Sequence, residues 1–190
     1  MIVNKDYNGA IEQFTTALDF IYSSGKRKDM IFTLNLNIAD AYLHINEPRE
    51  AIDVIQGAMP YFDPQNIEDK AVMLGSLSHA YLLLKEFDQA FDHILRCEEA
   101  AELTDFLAIK IQVDYYKAKY FEVLGDFNDA EKFYNKTIQR QIDGESYYNF
   151  NQVATDYINF LIDRRKYEKA IPFIYKARSE EHTSELQSRH

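Results

Sequence analysis

Leu124-Gly125-Asp126-Phe127-Asn128-Asp129-Ala130 decides the fold, because near-copies of it recur along the chain. A turn residue, an acidic or polar residue, an aromatic and then a small Ala close one helix and open the next. The copies read Lys5-Asp6-Tyr7-Asn8-Gly9-Ala10, Asn46-Glu47-Pro48-Arg49-Glu50-Ala51, Lys85-Glu86-Phe87-Asp88-Gln89-Ala90 and Arg165-Lys166-Tyr167-Glu168-Lys169-Ala170. The alanines fall at 10, 51, 90, 130 and 170, a spacing of 39 to 41. A fixed period of that size marks repeated supersecondary units. One helix pair cannot bury its apolar stripe alone, so neighbouring pairs stack, and small residues let the helices approach closely.

Working outward, apolar residues at helical spacing place the elements. A lone helix over about 5–23 carries Ala10, Ile11, Phe14, Ala17 and Leu18, and Gly25 supplies its left-handed end. Four pairs follow, over about 26–61, 66–102, 105–142 and 145–177. The first runs from Lys26 to Ile45 with Ile31, Leu34, Ile38, Ala41, Tyr42 and Ile45 on one face, then restarts at Pro48, which suits a first helical position. Leu74, Leu77, Ala80 and Tyr81 face Phe87, Ala90, Phe91, Ile94 and Cys97 in the second pair. Asp105 is expected to open the longest helix, with Leu107, Ile111, Tyr115, Ala118 and Phe121 inward, against Phe127, Ala130, Phe133, Tyr134 and Ile138. Ala170, Ile171, Ile174 and Ala177 give the last inner stripe.

Residues 178–190 break the pattern and resemble the in-frame translation of a sequencing-library adapter, so they are expected to be a non-native tail and carry no functional weight. Met1 opens almost directly into the second helix of a repeat. The chain is therefore expected to begin inside a longer protein and natively to continue past Ala177.

Composition narrows the function classes. The 190 residues hold 31 acidic and 21 basic side chains, a formal net charge of −10, and the tail accounts for only one unit of it. Phosphate binding needs clustered Lys and Arg, so direct nucleic-acid binding is not expected. A protein or peptide partner, basic ones included, suits that field better. One cysteine cannot form an internal disulfide, which fits a reducing, cytoplasmic setting. No apolar run approaches the roughly 18 residues of a membrane helix, so no membrane insertion is expected.

The repeated residues resemble the tetratricopeptide repeat over nearly all of 4–177. First-helix positions read Ile38-Ala39 and Tyr42, Leu77-Ser78 and Tyr81, then Ala118 and Phe121. Second-helix small positions read Ala10 and Ala17, Ala51 and Ala58, Ala90 and Cys97, Ala130 and Thr137, Ala170 and Ala177. Two features depart from the standard repeat. The period is near 40 rather than about 34, as in extended-helix subfamilies, and Asn35, Leu74 and Asp114 stand where a first-helix aromatic belongs. The resemblance implies an all-α, right-handed α-solenoid of antiparallel helix pairs, its first helices lining a concave binding face. It implies a non-catalytic scaffold binding a protein or peptide segment. Two alternatives are the sensory region preceding a bacterial signalling enzyme such as a diguanylate cyclase, or the peptide-sensing half of a transcription regulator.

Chemistry-bearing motifs are scarce. The chain has no Gly-rich phosphate loop, Cys-pair metal site or nucleophile elbow, so no catalytic residue, cofactor or metal is expected. Asp40 and His44 stand at i, i+4, but two ligands on one helix fall short of a metal site. Cys97 occupies a position where the repeat wants a small buried residue, and Glu98, Glu99 and Glu102 read as a solvated face. Tyr115-Tyr116 and Tyr147-Tyr148-Asn149-Phe150 point to different faces of their helices, so only some of them can be core. The expected binding face comprises polar or aromatic first-helix positions that avoid the inner stripe: Asn37, Asp40 and His44, then His79, then Tyr115, Lys119 and Glu122, then Gln152, Thr155 and Asn159. Asn side chains there can clamp an extended peptide backbone, offering both donor and acceptor.

Overall fold

A computed structural model describes residues 6–144 and 150–173. Those residues form helices joined by short turns: α1 (Tyr7–Ser24), α2 (Ile31–His44), α3 (Pro48–Ala58), α4 (Ile67–Leu84), α5 (Phe87–Glu102), α6 (Leu107–Leu124), α7 (Phe127–Asp143), α8 (Phe150–Asp163) and α9, described over 167–173. The expected lone-helix start at Lys5, the segment 145–149 with Tyr147 and Tyr148, Ile174, Ala177 and the tail 178–190 lie outside the described residues. The chain divides into two compact units, Met1–Tyr116 and Lys117–His190, and the division falls inside α6.

The repeated stretch builds the same turn four times. Asn46, Lys85, Gly125 and Arg165 hold φ of 62°, 61°, 80° and 59°, all left-handed. In each copy the next residue's N–H reaches back to the last turn of the preceding helix. Glu47 donates to Tyr42 O at 2.9 Å, Glu86 to Tyr81 O at 2.9 Å, Asp126 to Phe121 O at 2.9 Å and Lys166 to Leu161 O at 2.8 Å. The left-handed residue itself donates to the carbonyls of Leu43, Leu82, Glu122 and Ile162 at 2.9–3.1 Å. These paired bonds are the Schellman motif, which satisfies carbonyls that a helix end leaves unpaired. Each bond contributes about 0.5–1.5 kcal/mol, enough for two of them to outweigh the roughly 1–2 kcal/mol that a left-handed non-glycine residue costs.

The alanine of each copy then seats the next helix. Ala51, Ala90, Ala130 and Ala170 are buried, and each donates its N–H to the carbonyl four residues back, in Glu47, Glu86, Asp126 and Lys166. The later small positions Ala58, Cys97 and Thr137 are buried as well. Ala10 begins α1 in the same way, bonding Asp6 O at 3.0 Å while the Asp6 carboxylate caps Gly9 N–H at 2.8 Å. Asp126 repeats that cap on Asp129 N–H.

In the first unit α2 is buried on two faces. Ile31, Leu34 and Ile38 pack with Leu18 and Ile21 of α1, while Phe32, Leu36, Ala39 and Leu43 join Ala51, Ile55, Ala71, Met73 and Leu74 of α3 and α4. The expected single stripe accounts only for the first face; the second is the contact with its partner α3 and with α4 of the next pair. In α4, Gly75 faces α6 so closely that an added Cβ would lie 3.3 Å from both Gln112 Oε1 and Tyr116 Cε2. In the second unit Tyr134 of α7 stacks on Tyr157 of α8 at 5.2 Å, with Phe160 at 5.4 Å from Tyr134.

Two expected helix starts and one expected length are corrected. The helix expected from Lys26 starts at Ile31: Gly25 and Arg27 are both left-handed, Arg27 pairs with Asp29 at 3.2 Å, and a 3-10 turn spans Lys28–Met30. The helix expected from Asp105 starts at Leu107, because Thr104 Oγ1 takes the Phe106 N–H at 3.2 Å and closes a turn first. Nor is it the longest, since α1, α4 and α6 each have 18 residues.

Candidate functional site

The first unit carries Asn37, Asp40, His44, His79 and Tyr115. Asn37 is exposed on α2, one turn before Asp40. Asp40 Oδ2 lies 3.6 Å from His44 Nε2, the i, i+4 pair expected. The His44 ring is further held by Tyr7 of α1, stacked at 4.5 Å with 13° between planes. His79 of α4 is half-buried, its ring 5.5 Å from that of Tyr116 on α6. Tyr116 accepts a bond from Gln112 Nε2 at 3.0 Å and packs 5.8 Å from Tyr115. Of the tyrosine pair, Tyr116 is core and Tyr115 half-buried.

The second unit carries Lys119, Glu122, Gln152, Thr155 and Asn159, and here the structure draws several into one network. Lys119 Nζ sits 3.4 Å from Glu122 Oε2 and 3.6 Å from Asp156 Oδ2, tying α6 to α8. Glu122 Oε2 also accepts the hydroxyl of buried Tyr134 at 2.7 Å. Gln152 Nε2 donates to Asp156 Oδ1 at 3.1 Å. Gln152, Thr155 and Asn159 are exposed along one row of α8, with no contact joining Thr155 or Asn159 to the network.

Sequence reasoning missed Asp156 and Tyr7. Asp156 carried a usable signal, since it stands four residues after Gln152 on the same helical face. Tyr7 carried none: its contact with His44 joins residues far apart in sequence.

Among the described residues no group of three His, Cys, Asp or Glu side chains is placed to hold a metal. Cys97 is buried, its Sγ donates to Ala71 O at 3.1 Å, and burial, helped by the Glu98 charge, pushes its pKa up to about 12. A thiol so disfavoured as thiolate is a packing group, not a nucleophile. No helix among the described residues is long and apolar enough to cross a membrane.

Comparison with known proteins found no family model that matches this chain and no matching curated protein.

Proposed function

We propose that this chain is a non-catalytic binding module of the tetratricopeptide-repeat type, in which successive pairs continue as a right-handed α-solenoid. It takes an extended protein or peptide segment, basic ones included, at polar positions of its first helices. A cytoplasmic setting fits its single buried thiol. The observation that carries the reading is the turn repeated at Asn46, Lys85, Gly125 and Arg165, with the same bonds and the same buried alanine each time. Repetition of that kind suits an extended ligand whose own side chains repeat.

The test is a peptide array of extended basic, neutral and acidic sequences, read against wild type and against Asn37→Ala and Gln152→Ala variants. A preferred peptide, bound about tenfold more weakly by each variant, is the expected result, a loss typical of one polar contact. Retention of full affinity by both variants would move the binding face elsewhere. Turnover of nucleotides by the isolated chain would overturn the non-catalytic reading.

A further inference from the structure

A second feature lies outside the candidate face and does not depend on it. The residue just before each left-handed turn residue is Ile45, Leu84, Leu124 or Arg164, so an arginine stands where three copies of the repeat place an aliphatic side chain. Its guanidinium carbon lies 3.8 Å from the centre of the Phe127 ring and 4.0 Å from that of Phe160, two rings 6.4 Å apart. Nη1 donates to Phe160 O at 3.0 Å, while Nε is buried without a hydrogen-bond partner. No carboxylate among the described residues pairs with this cation, and the nearby Glu131 of α7 is turned to Lys166 and Lys169. The contact between Arg164 and Phe127 joins the α6–α7 turn to the α8–α9 turn. Val123, Leu124 and Phe127 at the first turn and Ile162 and Tyr167 at the second are all exposed.

We propose that Arg164 and the exposed apolar side chains around it form a docking point for a partner protein's segment in which a carboxylate stands beside an apolar residue. Charge complementarity gives the carboxylate. Two aromatic faces and a carbonyl hold the guanidinium in place without neutralising it, and its planar fork of donors matches a carboxylate in shape. The surroundings give the apolar neighbour, because arginine and aromatic side chains set together in an exposed apolar patch have the composition of an interface centre. The rest of the chain limits the occupant's charge. With 31 acidic against 21 basic residues, a long polyanion meets repulsion beyond the patch, whereas a segment with one or two carboxylates does not.

The probe is a fluorescein-labelled octapeptide in which Glu alternates with Leu and Phe, titrated with the full chain and followed by anisotropy. One counterpart replaces each Glu by Gln, and another replaces Leu and Phe by Ser. The Glu peptide is expected to bind about tenfold more tightly than either counterpart, the effect of one charge-assisted contact or one apolar anchor. Arg164→Leu puts in the residue type that Leu84 and Leu124 supply at the equivalent position, so the fold is expected to keep. It abolishes the preference for Glu over Gln and leaves the preference over Ser. Arg164→Lys, which retains the charge but not the planar fork, loses part of the Glu preference and gives a second reading should circular dichroism find Arg164→Leu unfolded. Arg49→Gln, which takes one charge from the first unit, keeps wild-type affinity. Equal loss in Arg49→Gln would reduce the effect to net charge and overturn the proposal, as would a Glu preference unchanged in both Arg164 variants or absence of binding. Self-association in sedimentation velocity that Arg164→Leu abolishes would assign the face to a second copy of the chain and overturn the partner assignment.

Discussion

Asn46, Lys85, Gly125 and Arg165 fill the same left-handed position, and only one of them is glycine. A non-glycine residue there costs roughly 1–2 kcal/mol, while glycine costs about 0.5–1 kcal/mol in lost chain freedom. The difference predicts that Lys85→Gly stabilises the fold by about 0.5–1 kcal/mol, and that Gly125→Ala destabilises it by about 1 kcal/mol. At Gly125 an added Cβ meets nothing nearer than Phe127 Cζ at 4.0 Å, so the loss there belongs to the backbone and not to a clash. Urea unfolding of the two variants checks both signs; a stabilised Gly125→Ala would remove the strain account. The glycine was legible from its residue type. Lys85 and Arg165 were legible only through the repeat, because nothing about a lone Lys or Arg announces a positive φ.

The helix pairs were read from spacing, and most inner-stripe positions are buried or half-buried, but Phe127 and Ile171, expected inward, are 44 % and 49 % exposed. The spacing fell short for α2, where Phe32, Leu36, Ala39 and Leu43 bury a second face against α3 and against α4 of the next pair. A helix covered on two sides loses the contrast between its faces, so periodicity records only the stronger one. Packing between elements also sets the acid response. Glu131 of α7 is 13 % exposed and receives both Lys166 and Lys169. Burial pushes its carboxyl upward, but the hydrogen bonds and charges of the two lysines outweigh that and leave it below the ordinary glutamate range. A group depressed in the folded state adds stability above its unfolded pKa and loses it as pH falls through the folded one. Thermal unfolding of the wild type is therefore expected to become less stable on acidification through and below the ordinary glutamate range. Glu131→Gln, already without that charge, should be less stable at neutral pH and show a smaller acid-dependent loss. An identical acid response in both proteins would assign the sensitivity to other carboxylates.

At the scale of the whole molecule, the all-helical character follows from the period that the alanines at 51, 90, 130 and 170 mark out. The binding face was less legible. Sequence alone placed Asp40 with His44 and put Lys119 beside Glu122, because both pairs lie on single helices. It did not place Asp156 across from Lys119, or Tyr7 on His44, since these contacts depend on how separate helices meet. The central claim is that an extended segment lies along the first helices of the pairs. Its most direct test is amide chemical-shift mapping of the full chain with the best peptide from the array. Shifts concentrated at Asn37, Asp40, His44, His79, Lys119, Glu122, Gln152, Thr155 and Asn159 are the predicted outcome. Shifts confined to α3, α5 and α7, with those residues unmoved, would contradict it.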